Sequence, residues 1–257
     1  MLITNLFCIL SCFTAPLTSE NLSSIDTTVV FEGGDRYVGE WPSGKGTLYS
    51  EDKGMIVGEF EEGIPEGHCI HYKTNGSIYE GEMSDGQAFG KGRYWTLAGN
   101  VITGDFFNGT ATGTDTLYYH SGAIYVGCML NKKPHGEGMS LNRSRLKYKS
   151  LLQTTDSECY HFRVGYYNNG RLEEGALYMV TFPSNKVVRA GFISYDTYYG
   201  RNPLPADVVP YDVDQLYINL IQKKPSFPSP VLSDEQLQFI IRNCRYKEWK
   251  KTPERKR

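Results

Sequence analysis

His68-Cys69-Ile70-His71 is the stretch that most invites a metal ion, because imidazole and thiolate are donors that zinc accepts. The residues around it alternate as a strand does, and successive strand side chains point to opposite faces. His68 and His71 then face apart, and Cys69 shares a face with His71 alone. The reading is histidines on a hairpin surface, with no metal. Gly90-Lys91-Gly92 lacks the strand–loop–helix setting and the Gly-Lys-Ser/Thr ending of a phosphate loop. His120, His135 and His161 have no acidic and nucleophilic company that would make them general bases. The expectation is a chain with no catalytic residue, no cofactor and no enzymatic activity.

The glycines and aromatics are explained better by repetition than by chemistry. Tyr79-Glu80-Gly81-Glu82-Met83 recurs 23 residues earlier as Ile56-Val57-Gly58-Glu59-Phe60 and 23 residues later as Ile102-Thr103-Gly104-Asp105-Phe106. A further 23 residues bring Tyr125-Val126-Gly127-Cys128-Met129, and Tyr37-Val38-Gly39-Glu40-Trp41 stands 19 residues before Ile56. A fixed period of this size marks a repeat architecture. Within each unit the alternation has a period of two, apolar on one parity and acidic on the other (Glu40, Glu59, Glu82, Asp105). Asp85-Gly86 and Asn108-Gly109 are tight-turn dipeptides; Lys132 breaks the turn-glycine column. A second strand carries Tyr72, Trp95 and Tyr118, and another turn closes the unit at Asn75-Gly76, Gly99 and Gly122. Each unit therefore predicts one β-hairpin. Gly39, Gly58, Gly81, Gly104 and Gly127 are structural glycines that leave room for an aromatic ring to lie across the backbone.

The pattern Tyr-x-Gly-x-Trp/Phe, then Gly, then Gly-x-Gly (Gly90-Lys91-Gly92, Gly136-Glu137-Gly138) resembles MORN repeats over residues 31 to about 142. Cys69 and Asp115 depart from it by replacing the second glycine. A degenerate sixth unit follows at Val164-Gly165-Tyr166-Tyr167-Asn168-Asn169-Gly170. Some proteins of this family carry a lipid kinase or lysine methyltransferase domain; the residues after the array are short for either. The resemblance implies a mainly β fold: an elongated single-layer antiparallel sheet of stacked hairpins, with a short β extension and one or two C-terminal helices.

The sequence divides into an apolar leader (1–28), five repeats (31–142), a β-rich extension (143–200), and a Pro-rich linker with helices and a basic tail (201–257). The leader is of signal-peptide length but lacks a positive n-region, so a signal peptide and a disordered or membrane-attracted leader both stand. Net charge is −2, and the six cysteines show no CxxC spacing. Residues 242–257 hold eight Lys or Arg against two Glu, which suits anionic lipid, microtubule or acidic protein. "ALYMVTF" (176–182) and "KVVRAGFISY" (186–195) read as strands. Asp212 to Lys223 has helical spacing, and Ser233 with Gln236 forms a capping box before Leu237, Ile240, Ile241 and Cys244. That last helix is expected to pack on the sheet rather than serve as a docking helix.

The functional expectation is a structural or adaptor protein that binds protein partners through its sheet. Tyr37, Trp41, Phe60, Tyr79, Trp95, Phe106 and Tyr125 are the candidate recognition residues. The ending "FIIRNCRYKEW" resembles small MORN proteins of cilia and sperm flagella, which implies a cytoplasmic setting in a cytoskeletal, axonemal or flagellar assembly. The alternatives are a scaffold on anionic phospholipid and, if residues 1–19 are a signal peptide, a secreted glycoprotein. No nucleic-acid partner is expected, and dimerisation through edge strands stays open.

Overall fold

The computed structural model describes residues 27–145, 155–182, 184, 187–194, 197–199, 213–228 and 231–245. The apolar leader up to residue 26, Pro203, Pro205 and Pro210, and the tail from 246 with Trp249 lie outside them.

Among the described residues, fifteen strands form one antiparallel sheet in sequence order, each hydrogen-bonded to the next. They are β1 (Thr27–Val30), β2 (Arg36–Gly39), β3 (Gly44–Ser50), β4 (Gly54–Glu61), β5 (Ile64–Lys73), β6 (Ile78–Ser84), β7 (Gln87–Trp95) and β8 (Val101–Phe107). The second half is β9 (Thr110–Tyr118), β10 (Ile124–Leu130), β11 (Lys133–Arg145), β12 (Glu158–Asn168), β13 (Arg171–Phe182), β14 (Val187–Ser194) and β15 (Thr197–Tyr199). Two helices follow among the described residues, α1 (Val213–Gln222) and α2 (Asp234–Asn243). The mainly β, stacked-hairpin fold expected from the sequence is the fold observed.

The turns obey the chemistry of their residues. Asp85-Gly86, Asn108-Gly109 and Asn169-Gly170 all take positive φ at both positions, the geometry of the tightest hairpin turn. Asn131-Lys132 takes the same geometry, with φ of 50° and 62°, although it has no glycine. Lys132 makes one further contact: its Nζ lies 4.1 Å from the centre of the Tyr94 ring on β7, across several strands. The sheet therefore curls, and its inner face closes partly on itself.

That curl explains how a single layer buries a core. The inner face holds Tyr37, Phe60, Tyr79, Met83, Ile102, Phe106, Tyr125 and Met129, all buried. The outer face is apolar too. Tyr49, Met55, Tyr72, Ile78, Trp95, Val101, Tyr118 and Ile124 are buried there against Ile240 and Cys244 of the α2 end and the partly buried Tyr217 and Leu220 of α1. The acidic parity was expected to be a wholly solvated face. In the structure the half of it nearest the Asn75, Gly99 and Gly122 turns is roofed by the helices, because Met55, Ile78, Val101 and Ile124 share that parity. The last helix packs on the sheet as expected.

Candidate functional site

The inner face is built by a pairing rule. Tyr37, Tyr79 and Tyr125 each lie across a glycine of the next strand: Gly46, Gly92 and Gly138. A Cβ at Gly92 would stand 2.6 Å from Tyr79 Cε2 and Oη, and one at Gly138 2.3 Å from Tyr125 Oη. Each hydroxyl donates to the carbonyl three residues on, Tyr37 to Glu40 (2.6 Å), Tyr79 to Glu82 (2.6 Å) and Tyr125 to Cys128 (2.8 Å). Where the first column is isoleucine, the glycine is replaced. Cys69 fills the space beside Ile56, and its Sγ donates to Glu59 O at 3.3 Å, the carbonyl equivalent to the tyrosine acceptors. Asp115 does the same beside Ile102, its Oδ1 accepting from Asp105 N at 2.9 Å. The two departures from the repeat pattern are thus compensations for a smaller neighbour.

The chemistry-bearing groups are occupied by this packing. Burial pushes the Cys69 thiol up to about 11, which removes it as a nucleophile or ligand at neutral pH. Burial holds His71 down at about 4, and its Nε2 lies 2.9 Å from Lys53 O. His71 pairs with Tyr79 and so shares the inner face with Cys69, whereas His68 lies on the outer face. Among the described residues no group of three His, Cys, Asp or Glu is placed to hold a metal. Asp115 is raised to about 6, chiefly by burial, and its Oδ2 is buried without a partner.

The residues expected to recognise a partner are mostly core. Tyr37, Phe60, Tyr79, Phe106 and Tyr125 are buried on the inner face; Trp95 is buried on the outer face beside Phe227 of the segment leading to α2. Trp41 is partly buried between Phe31 and Tyr37. The structure therefore divides these columns between both faces of the sheet instead of one aromatic recognition face. Side chains this deeply buried present nothing to a partner while the array stays closed.

What the array does present lies on the other half of the outer face, beyond the helices and toward the Glu62-Gly63, Asp85-Gly86 and Asn108-Gly109 turns. Ile64, Phe89, Phe107, Leu130 and Tyr166 are 43–56% exposed there. Pairing places them on one face. Ile64 is opposite Glu61, Phe89 touches Phe107 with ring centres 6.1 Å apart, and Tyr166 is opposite Glu137. Leu130 shares parity with the buried Ile124 and the partly buried Val126. Sequence reasoning missed these residues, yet a signal was there: an apolar residue flanks three of the turn dipeptides, at Ile64, Phe107 and Leu130, on the acidic parity. Beside the stripe stand Glu59, Glu61, Glu82 and Glu137, all exposed. Lys91 is held by Asp105 at 2.7 Å and Arg93 lies 3.7 Å from Glu80, so two of the cations nearby are already engaged.

Comparison with known families finds the MORN repeat at residues 57–78, 79–96 and 125–140. These matches fall on the hairpins just described. The chain carries MORN repeats. MORN repeats are non-catalytic modules that mediate protein or phospholipid binding, which agrees with an array whose polar groups are consumed by packing. No curated protein matches the chain. A solved streptogramin B lyase structure is similar over 70% of each chain at 14% identity with a TM-score of 0.17, a likeness too slight to carry an argument.

Proposed function

We propose that this MORN-repeat protein is a non-enzymatic structural or adaptor protein that holds a protein partner on its sheet within a cytoskeletal assembly of the ciliary or flagellar kind. The observation that carries it is the exposed stripe of Ile64, Phe89, Phe107, Leu130 and Tyr166 on the helix-free half of the outer face. Exposed apolar side chains aligned on one face, with Phe89 and Phe107 in contact, are what an interaction site can use. The ciliary setting rests on the resemblance of "FIIRNCRYKEW" to the ends of small flagellar MORN proteins. The test is detergent extraction of ciliated cells expressing the tagged chain. Retention with the axonemal fraction, lost in a Phe89→Ser/Phe107→Ser variant, is the expected result. Full extraction of the wild-type chain would refute the cytoskeletal setting.

A second reading, attachment to anionic phospholipid, is favoured by one feature. A cavity of about 490 Å³ on the inner face is lined by Arg163, Arg171, Tyr119 and Tyr167 with no carboxylate among its lining residues. Flotation with vesicles containing phosphatidylserine, and its loss in Arg163→Ala/Arg171→Ala, is the measurement that separates it from the first.

A further inference from the structure

The stripe has a spacing as well as a location. Ile64 stands on β5, Phe89 on β7, Phe107 on β8, Leu130 on β10 and Tyr166 on β12. Adjacent strands are about 4.8 Å apart, so anchors two strands apart are separated by roughly 10 Å. An α-helix rises about 1.5 Å per residue, so its apolar stripe returns every seven residues, after about 10.5 Å. An extended segment repeats one face at roughly 6.6 Å and 13 Å and misses that interval. From β5 to β12 the stripe covers seven strand steps, about 34 Å measured along the curled sheet, so a helix of roughly 22 residues is the upper bound on what it can seat.

The charge beside the stripe selects the helix. Glu59, Glu61, Glu82 and Glu137 are exposed on the same face, and Glu66 is partly exposed with Oε2 accepting from Asp85 N. Lys91 and Arg93 face the stripe from β7, engaged by Asp105 and Glu80; Lys45 stands opposite Glu59, and Lys133 keeps its charge with Nζ 2.8 Å from the neutral Asn169 Oδ1. Glu59, Glu61, Glu66, Glu82 and Glu137 outnumber Lys45 and Lys133 and leave the field over the apolar anchors negative. An anionic membrane or an acidic peptide would be repelled there.

We propose that this half-face seats a cationic amphipathic helix of a partner protein, lying across the strands with apolar anchors at heptad spacing and Lys or Arg flanking them. The proposal rests on the adaptor reading and adds the partner's chemistry to it. The test uses the full chain and two synthetic 22-residue amphipathic peptides, one Leu/Lys and one Leu/Glu, titrated by calorimetry. The Leu/Lys peptide is expected to bind, and the Leu/Glu peptide to bind at least about tenfold more weakly. Phe89→Ser/Phe107→Ser is expected to weaken the Leu/Lys complex about tenfold or more. Glu59→Lys/Glu82→Lys/Glu137→Lys is expected to invert the preference between the two peptides. Both variants change exposed positions, and unshifted thermal melts will show that they fold. Equal binding of the two peptides, both lost in the phenylalanine variant, would overturn the cationic partner while leaving the stripe as a docking site. No binding of the Leu/Lys peptide, or binding indifferent to both variants, would overturn the proposal outright.

Discussion

Substituting Gly92 by alanine tests the pairing rule that holds the inner face together. Gly92 has no left-handed φ, so alanine is allowed by the backbone and the cost is steric. The new Cβ would sit 2.6 Å from Tyr79 Cε2 and Oη and 2.9 Å from Cζ, so the ring must shift by about 1 Å to reach ordinary contact. Tyr79 is buried, stacks edge-on to Phe106 with ring centres 5.1 Å apart, and donates to Glu82 O at 2.6 Å. Overpacking costs about 1–3 kcal/mol and the strained hydrogen bond about 1 more, giving about 2–4 kcal/mol. In an array of this size that is a drop of about 5–15 °C in melting temperature. Tyr79→Ile alone leaves a void over the bare glycine and costs a similar amount, about 2–4 kcal/mol. The double variant Tyr79→Ile/Gly92→Cys rebuilds the arrangement seen at Ile56 and Cys69, so it is expected to be less destabilised than either Tyr79→Ile or Gly92→Cys. The favourable coupling is about 1.5 kcal/mol or more. Thermal and urea melts followed by circular dichroism measure it, with hydrogen exchange at β6 and β7 as a local check, because repeat arrays need not unfold in one step. Strict additivity, or a Gly92→Ala penalty below about 0.5 kcal/mol, would refute the rule.

Three further outcomes follow from the same geometry. Burial raises the Asp115 carboxyl from an unfolded value near 3.8 to about 6, so the folded state holds its proton more tightly. Its stabilising effect is complete below the unfolded value and is lost as pH rises to and beyond about 6. Asp115→Asn is then expected to gain up to about 3 kcal/mol at pH 7.5 relative to wild type and to lose that advantage by pH 4, as read from urea midpoints across pH. Cys69 and Cys244 are pushed up to about 11 by burial, so in the folded chain at pH 8 iodoacetamide should label the more accessible Cys128 well before either, as peptide mass spectrometry will show. Ile240→Ala opens the contact between α2 and the Met55–Tyr72 floor and is expected to cost about 2–4 kcal/mol, whereas Ser233→Ala removes only the capping box and costs about 1; equal melting shifts for the two would argue against the helix as a roof of the core.

The repeat was legible because its period is covalent. Turn dipeptides such as Asn108-Gly109 and alternating columns fix hairpins locally, and the β12–β13 hairpin with Asn169-Gly170 was visible for the same reason. The capping box at Ser233 and Gln236 is likewise local, and both of its hydrogen bonds form. What the sequence hid was which columns face each other across space. Tyr79 and Trp95 belong to one repeat and look alike as aromatic columns, yet strand parity sends them to opposite faces. The compensation of Ile56 by Cys69, and of Ile102 by Asp115, joins residues on neighbouring strands, so each looked like a defect in a column when read alone. The stripe was missed because its members are ordinary apolar residues scattered over five strands. Only the register brings them together.

The two faces have different degrees of freedom to serve a partner. From Tyr37 to Tyr125 the inner face has spent most of its polar groups on itself: three tyrosine hydroxyls, the Cys69 thiol and Oδ1 of Asp115 are bound to the backbone of the first-strand column. Opening it to a ligand would unpair several buried groups at once, each costing about 1–3 kcal/mol. The helix-roofed half of the outer face is closed as well, tied by Gln236 Nε2 to Thr47 Oγ1 at 2.8 Å and by Tyr217 Oη to Gly122 O at 2.9 Å. Among the described residues the edge strands β1 and β15 have four and three residues, and short edge strands resist pairing between chains. Binding through the helix-free half needs none of these to break. Among the described residues the apolar stripe there can take a partner without the array first unfolding part of itself.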